Sequence, residues 1–87
     1  MSCEGPDGSA FPGVVVDLSV GGLYVEAETV PAFGATLTLV GDFRDQKGLR
    51  LPSVVRWVKP GGFGVQFGLL GARETHALAA IVQRARS

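Results

Sequence analysis

The sequence predicts a mainly β domain: five or six short antiparallel strands curled into a small barrel, followed by one amphipathic helix. Three observations predict it. Thirteen glycines and five prolines punctuate the 87 residues without a triplet period, which marks many turns rather than a low-complexity segment. Runs rich in Val, Leu, Thr and aromatic residues stand between those breaks, as strands do. After Gly68 the apolar period lengthens, with Leu78, Ile81, Val82 and Ala85 at i, i+3, i+4 and i+7, the stripe of a helix. A chain this short is at most one domain and buries only about 60 to 65% of its unfolded surface, so its core must be tightly organised. Curling the sheet toward closure is the simplest way to manage its edges. No fixed-period repeat is present, which excludes a solenoid.

Each element follows in order. The stretch MSCEGPDGSA is polar and turn-forming, so residues 1–10 read as a flexible leader and 11–87 as the folded domain. From Phe11 to Val16 the β-branched content rises, and the pattern resumes over 22–26 after the interruption DLSVG. Two antiparallel strands joined by a compact corner are expected. Pro31, Phe33 and Gly34 precede ATLTLV, where Leu37 and Leu39 share one face. The polar loop GDFRDQKG then leads into 49–58, where Leu49, Leu51, Ser53, Val55 and Trp57 share a face unless a bulge changes the parity. Pro52 lacks an amide proton and is expected at an edge or bulge. Lys59-Pro60-Gly61-Gly62 reads as a turn closing a hairpin onto 63–67, where Phe63, Val65 and Phe67 share a face. The helix is expected over about 72–85, with Glu74 near its start and Arg84 and Arg86 near its end, as the helix dipole favours.

Charge and composition narrow the function. Eight Lys+Arg balance eight Asp+Glu, so the chain lacks the positive field that general nucleic-acid binding uses. A local basic bias remains in Arg44, Lys47, Arg50, Arg56 and Lys59. Cys3 is the single cysteine, so no intrachain disulfide forms. No run approaches eighteen apolar residues and the N-terminus has no signal-peptide pattern, so no membrane insertion and a cytoplasmic location are expected. His76 is the only histidine, without a metal-ligand cluster, and Ser19 lacks a nucleophile-elbow context. Neither an enzyme nor a resident cofactor is expected.

The segment DLSVGG has two readings. As architecture, Asp17 and Ser19 accept hydrogen bonds from nearby backbone amides while Gly21 or Gly22 takes a positive φ. As a ligand rim, the same residues present acceptors and hydroxyls to a bound molecule. Residues 17–25, DLSVGGLYV, resemble the D/N-x-S-x-x-G signature of PilZ domains, with Asp17, Ser19 and Gly22 on the signature positions. Gly34 before ATLTLV, the run VVRWV, and Gly64-Val65-Gln66-Phe67 follow in the family's order, so the resemblance spans roughly 11–85.

That resemblance implies a six-stranded antiparallel β-barrel with a C-terminal helix, found in bacterial proteins that respond to cyclic di-GMP. In binding members an R-x-x-x-R segment upstream of the first strand contacts phosphate and guanine, a task for which arginine's flat fork is suited. Here no arginine or lysine precedes Arg44. Each missing charge-assisted bond costs about 1.5 to 3 kcal/mol, so the expected function is a non-enzymatic regulatory or adaptor module. It would act by docking to a protein in motility, polarity or envelope regulation, with cyclic di-GMP binding lost or weak. The alternative is a cyclic di-GMP receptor that uses Asp17, Ser19 and Gly22 with the non-standard Arg50 and Arg56, or whose arginine pair lies outside this stretch. Trp57 is expected in the core or facing the helix. Phe43, in a charged loop, is the expected anchor of a protein-interaction surface.

Overall fold

The structure, a computed structural model, describes residues 1–19, 21–43 and 46–86, the side chains of Phe43, Gln46 and 84–86 excepted. Seven strands and one helix follow in the chain: β1 Ser2–Glu4, β2 Ala10–Pro12, β3 Val14–Leu18, β4 Gly22–Glu26, β5 Thr36–Phe43, β6 Gln46–Lys59, β7 Gly62–Phe67 and α1 Ala72–Arg86. All strands join one antiparallel sheet in the order β2-β1-β5-β6-β7-β4-β3. Its two end strands, β2 and β3, are successive in the chain and meet at Gly13. The sheet therefore curls until its ends share a covalent corner. Counted as one bent strand, β2 and β3 bring the total back to six.

Alternation sorts the faces. Leu23 and Val25 of β4, Leu37 and Leu39 of β5, Leu51 and Val55 of β6, and Phe63 and Val65 of β7 form one buried cluster with Cys3 and Leu78, while the residues between them point outward, as the strand period requires. Ser53 is buried within this apolar face and donates its hydroxyl to the Leu51 carbonyl at 2.9 Å. A satisfied hydroxyl makes that position tolerable. The β6–β7 hairpin turns at Pro60-Gly61 with Gly61 at φ 81°, where Pro pre-sets one central residue and glycine takes the left-handed one.

Two expectations need correction. Residues 2–4 are a strand, not part of a loose leader: β1 pairs with both β2 and β5, and Cys3 is fully buried. The edge of β5 needed a partner, and a three-residue strand carrying one small apolar side chain supplies it. Pro52 sits in the interior strand β6, opposite Thr38. Its carbonyl accepts from Gly68 N–H at 2.7 Å, just beyond the paired end of β7. Its nitrogen faces the same way, so no ladder bond to β5 is lost.

The helix forms where its period predicts. Glu74 lies in its first turn, Thr75 N–H reaches back to the Gly71 carbonyl at 3.0 Å, and Arg73 donates to the Lys47 carbonyl at 2.8 Å. Ala77, Leu78 and Val82 are buried while Thr75, His76 and Ala79 are exposed, so the helix lies against the sheet by one stripe.

Candidate functional site

The corner between β3 and β4 is closed by a single carbonyl. Gly22 O accepts from the Ser19 backbone N–H at 2.9 Å and from the Ser19 hydroxyl at 3.1 Å. Phe67 N–H donates to Gly21 O at 2.9 Å, tying the corner to the end of β7. A Cβ on Gly22 would meet the Val65 carbonyl of β7, so only hydrogen fits there. Ser19 and Gly22 thus have architectural reasons to be present, although the Ser19 hydroxyl donates where an acceptor was expected and neither Gly21 nor Gly22 takes the expected positive φ: close approach to Val65, not a left-handed turn, is what calls for glycine at Gly22. Asp17 stands outside this closure, exposed on β3 and in no ion pair among the described residues.

The register lays a row of residues across the outer face beside the corner. Asp17 lies opposite Tyr24, Tyr24 opposite Gly64, and Gly64 opposite Trp57. Because Gly64 and Gly62 carry no side chains, the two neighbouring aromatics fill the space above them. A Cβ at Gly62 would meet the Tyr24 hydroxyl, and one at Gly64 the Trp57 indole nitrogen. The Tyr24 and Trp57 rings stack with centroids 5.0 Å apart and planes within 4°, and Lys59 Nζ lies 5.0 Å from the Tyr24 centroid. Such packing over strand glycines restores contacts the sheet would otherwise lack.

Trp57 is therefore not a core residue; it is 47% exposed. The cause is a bulge between Val55 and Trp57, which inserts Arg56 into β6 and shifts the register against β7. One extra residue reverses the parity, so Trp57 leaves the face it would share with Val55. Arg56 is also exposed, and its Nε–H donates to Gln66 Oε1 at 2.9 Å.

Asp17, Ser19, Gly22, Tyr24, Arg56, Trp57 and Gln66 line one open cavity of about 330 Å³. Of the two arginines singled out in the sequence, Arg56 reaches this cavity and Arg50 does not. Arg50 donates instead to Glu4 at 3.1 Å, an exposed ion pair on the β1 side of β6. The Phe43 backbone pairs with Gln46 at the end of β5, while its side chain lies outside the described residues, as does Arg44. His76 sits on the exposed side of α1, away from the cavity. Among the described residues no group of three or more His, Cys, Asp or Glu side chains converges as metal ligands would, and no helix is long and apolar enough to cross a membrane.

Sequence reasoning missed Tyr24 and Gln66 as members of this surface. A signal was present: Gly62 and Gly64 alternate on one face of a short strand, which opens a flat channel for side chains of the flanking strands. Chemically, the site combines a carboxylate acceptor, a hydroxyl, two flat rings and a guanidinium. That set suits a planar, N–H-bearing base attached to an anion.

Comparison with known proteins agrees with this geometry. The PilZ domain family model matches residues 2–84. Among solved structures, the fold is similar to the crystal structure of the PilZ domain of CeSA from a cellulose-synthesizing bacterium, with a TM-score of 0.76 and 19% identity over 99% of this chain and 90% of that one. No curated protein matches the chain. Signature residues on one corner, a curled antiparallel sheet with its C-terminal helix, and a family match over nearly the whole length have one reading: the chain belongs to the PilZ domain family of cyclic di-GMP-binding and regulatory modules.

Proposed function

We propose that the chain is a non-enzymatic regulatory module that takes cyclic di-GMP weakly at the β3–β4 rim and acts by docking to a protein partner. The observation that carries this reading is the meeting of Asp17, Ser19, Gly22 and Arg56 around one cavity, beside two stacked rings. Cyclic di-GMP offers planar purines with N–H donors and two phosphates. Tyr24 and Trp57 supply flat faces, Asp17 an acceptor and Arg56 a cation. Weak binding follows from number. Among the described residues one guanidinium faces the rim, and each charge-assisted bond that is not made forgoes about 1.5 to 3 kcal/mol. The stretch ahead of Asp17 that lacks arginine includes β1 and β2, whose backbones pair with each other and, through β1, with β5, and whose Cys3 and Phe11 pack in the core.

Docking draws support from Val14 and Val16, exposed on the strand that carries Asp17, and from the exposed Trp57 of the rim. Apolar area of this kind, bordered by polar groups, is what a partner covers. This reading puts the module in the cytoplasm with the second messenger.

Calorimetric titration with cyclic di-GMP at low and physiological salt tests the reading. A dissociation constant on the order of 100 μM, roughly 5.5 kcal/mol, is expected, weakening with salt and lost in Arg56→Ala. An affinity near 1 μM would overturn the weakness. Absence of heat and of chemical-shift change at millimolar ligand would overturn the ligand half and leave docking alone.

A further inference from the structure

The two exposed arginines of β6 differ in what holds them. Arg50 gives Nη2 to the Glu4 carboxylate at 3.1 Å, so an opposite charge meets its own. Arg56 gives only Nε–H, and gives it to a neutral amide oxygen, Gln66 Oε1, at 2.9 Å. Among the described residues no carboxylate pairs with it. A guanidinium held through Nε keeps both Nη groups for a second partner, in the parallel geometry that phosphate oxygens accept.

The tether is set by the ladder. Gln66 lies opposite Val54 of β6 on one side and opposite Gly22 of β4 on the other. It thus stands between the signature glycine and the bulge at Arg56. We propose that Gln66 is the positioning residue that aims Arg56 at a phosphate of the ligand, the two forming the phosphate anchor of the rim. This rests on the ligand reading given above. The neutrality of the amide is part of the device: it fixes the fork without cancelling the charge, whereas a carboxylate at the same position would hold the fork and neutralise it.

Cyclic di-GMP titrations of the wild-type chain, Gln66→Leu and Gln66→Glu at two salt concentrations test the assignment, alongside the Arg56 Nε–H resonance in the ligand-free chain. In the wild type that resonance is expected to be protected from solvent exchange, and in Gln66→Leu the protection is lost. Affinity is expected to fall about five- to tenfold in Gln66→Leu, the worth of one hydrogen bond. Gln66→Glu is expected to bind more weakly still, with a flatter salt dependence, although its Nε–H stays protected. A glutamine with a merely structural role would not separate the two variants in this way. If the wild type binds and both variants bind equally well, the anchor is overturned while the ligand reading stands. If the wild type does not bind at millimolar ligand, the ligand reading fails and the anchor falls with it.

Discussion

Gly22 and Gly64 both exclude a methyl group, but the obstacles differ in stiffness. At Gly22 the added Cβ would meet the Val65 backbone carbonyl; at Gly64 it would meet the Trp57 indole, which is half exposed and can swing outward. Gly22→Ala is therefore expected to cost roughly 1 to 3 kcal/mol in denaturant unfolding, the usual range for overpacking. Gly64→Ala is expected to cost less than about 1 kcal/mol yet to abolish the Tyr24–Trp57 stack, visible in near-ultraviolet circular dichroism. Equal costs at the two positions would contradict the assignment of a rigid and a yielding neighbour. Cys3 makes a different prediction. Burial pushes its thiol pKa up, and the nearby N-terminal ammonium only partly offsets this. The folded chain thus holds the thiol proton more tightly than the unfolded chain does. Its contribution to stability is complete below the ordinary thiol pKa and is lost as pH rises from about 8.5 toward the folded value. Alkylation of Cys3 should be slow in the native chain at neutral pH and should track unfolding in a denaturant series; rapid labelling without denaturant would show that β1 is not docked.

At the scale of elements, the helix and the long strand β6 show what local pattern reveals and where it stops. The helical stripe was legible because its period is local: Leu78 and Val82 are buried as their spacing predicts, with Ile81 half-buried. Leu78 is the helix residue in the main core cluster. Leu78→Ala is expected to destabilise the fold by about 2 to 5 kcal/mol and to raise amide exchange in α1 before the β5–β6 ladder; simultaneous exchange of both would mean that the helix does not open as a separate unit. In β6 the same reading placed Leu49, Leu51, Ser53 and Val55 on one face without assigning that face to the inside, and all four are buried. It failed at the next position in the series, Trp57. No residue type announces a bulge, because the extra residue is accommodated by the register with β7 rather than by its own conformation preference. The rim's aromatic stack and its cation both arise from that one inserted residue.

Across the whole molecule, the sheet is held at its seam by the chain's own beginning. The N-terminal ammonium of Met1 donates to Gly13 O at 2.9 Å, and Gly13 N–H donates to Met1 O at 2.9 Å. A Cβ on Gly13 would meet Val25 and Cys3, so the corner where the end strands meet needs glycine. Phe11 of β2 meets Phe63 of β7 edge-on at 6.1 Å between centroids, across the interior of the curl. Removing residues 1–4 would uncover Leu39 and the edge of β5. A loss of at least about 2 kcal/mol, the worth of one or two large apolar side chains, is expected in thermal or denaturant unfolding. A truncated chain as stable as the full one would return this stretch to the status of a loose leader.

What the sequence determined by itself was what short-range period and local chemistry carry: the residues that share a face along most strands, the turn at Pro60-Gly61, the helix, and the signature Asp17, Ser19 and Gly22 with the family it belongs to. Only the tertiary structure decided that residues 2–4 pair with β5, that Trp57 turns outward onto Tyr24, and that Arg56 joins the rim while Arg50 is taken by Glu4. The physical reason is the same in each case. These outcomes depend on which strands pair and in what register, which no single segment carries, and a register shift of one residue reverses which side chains face out.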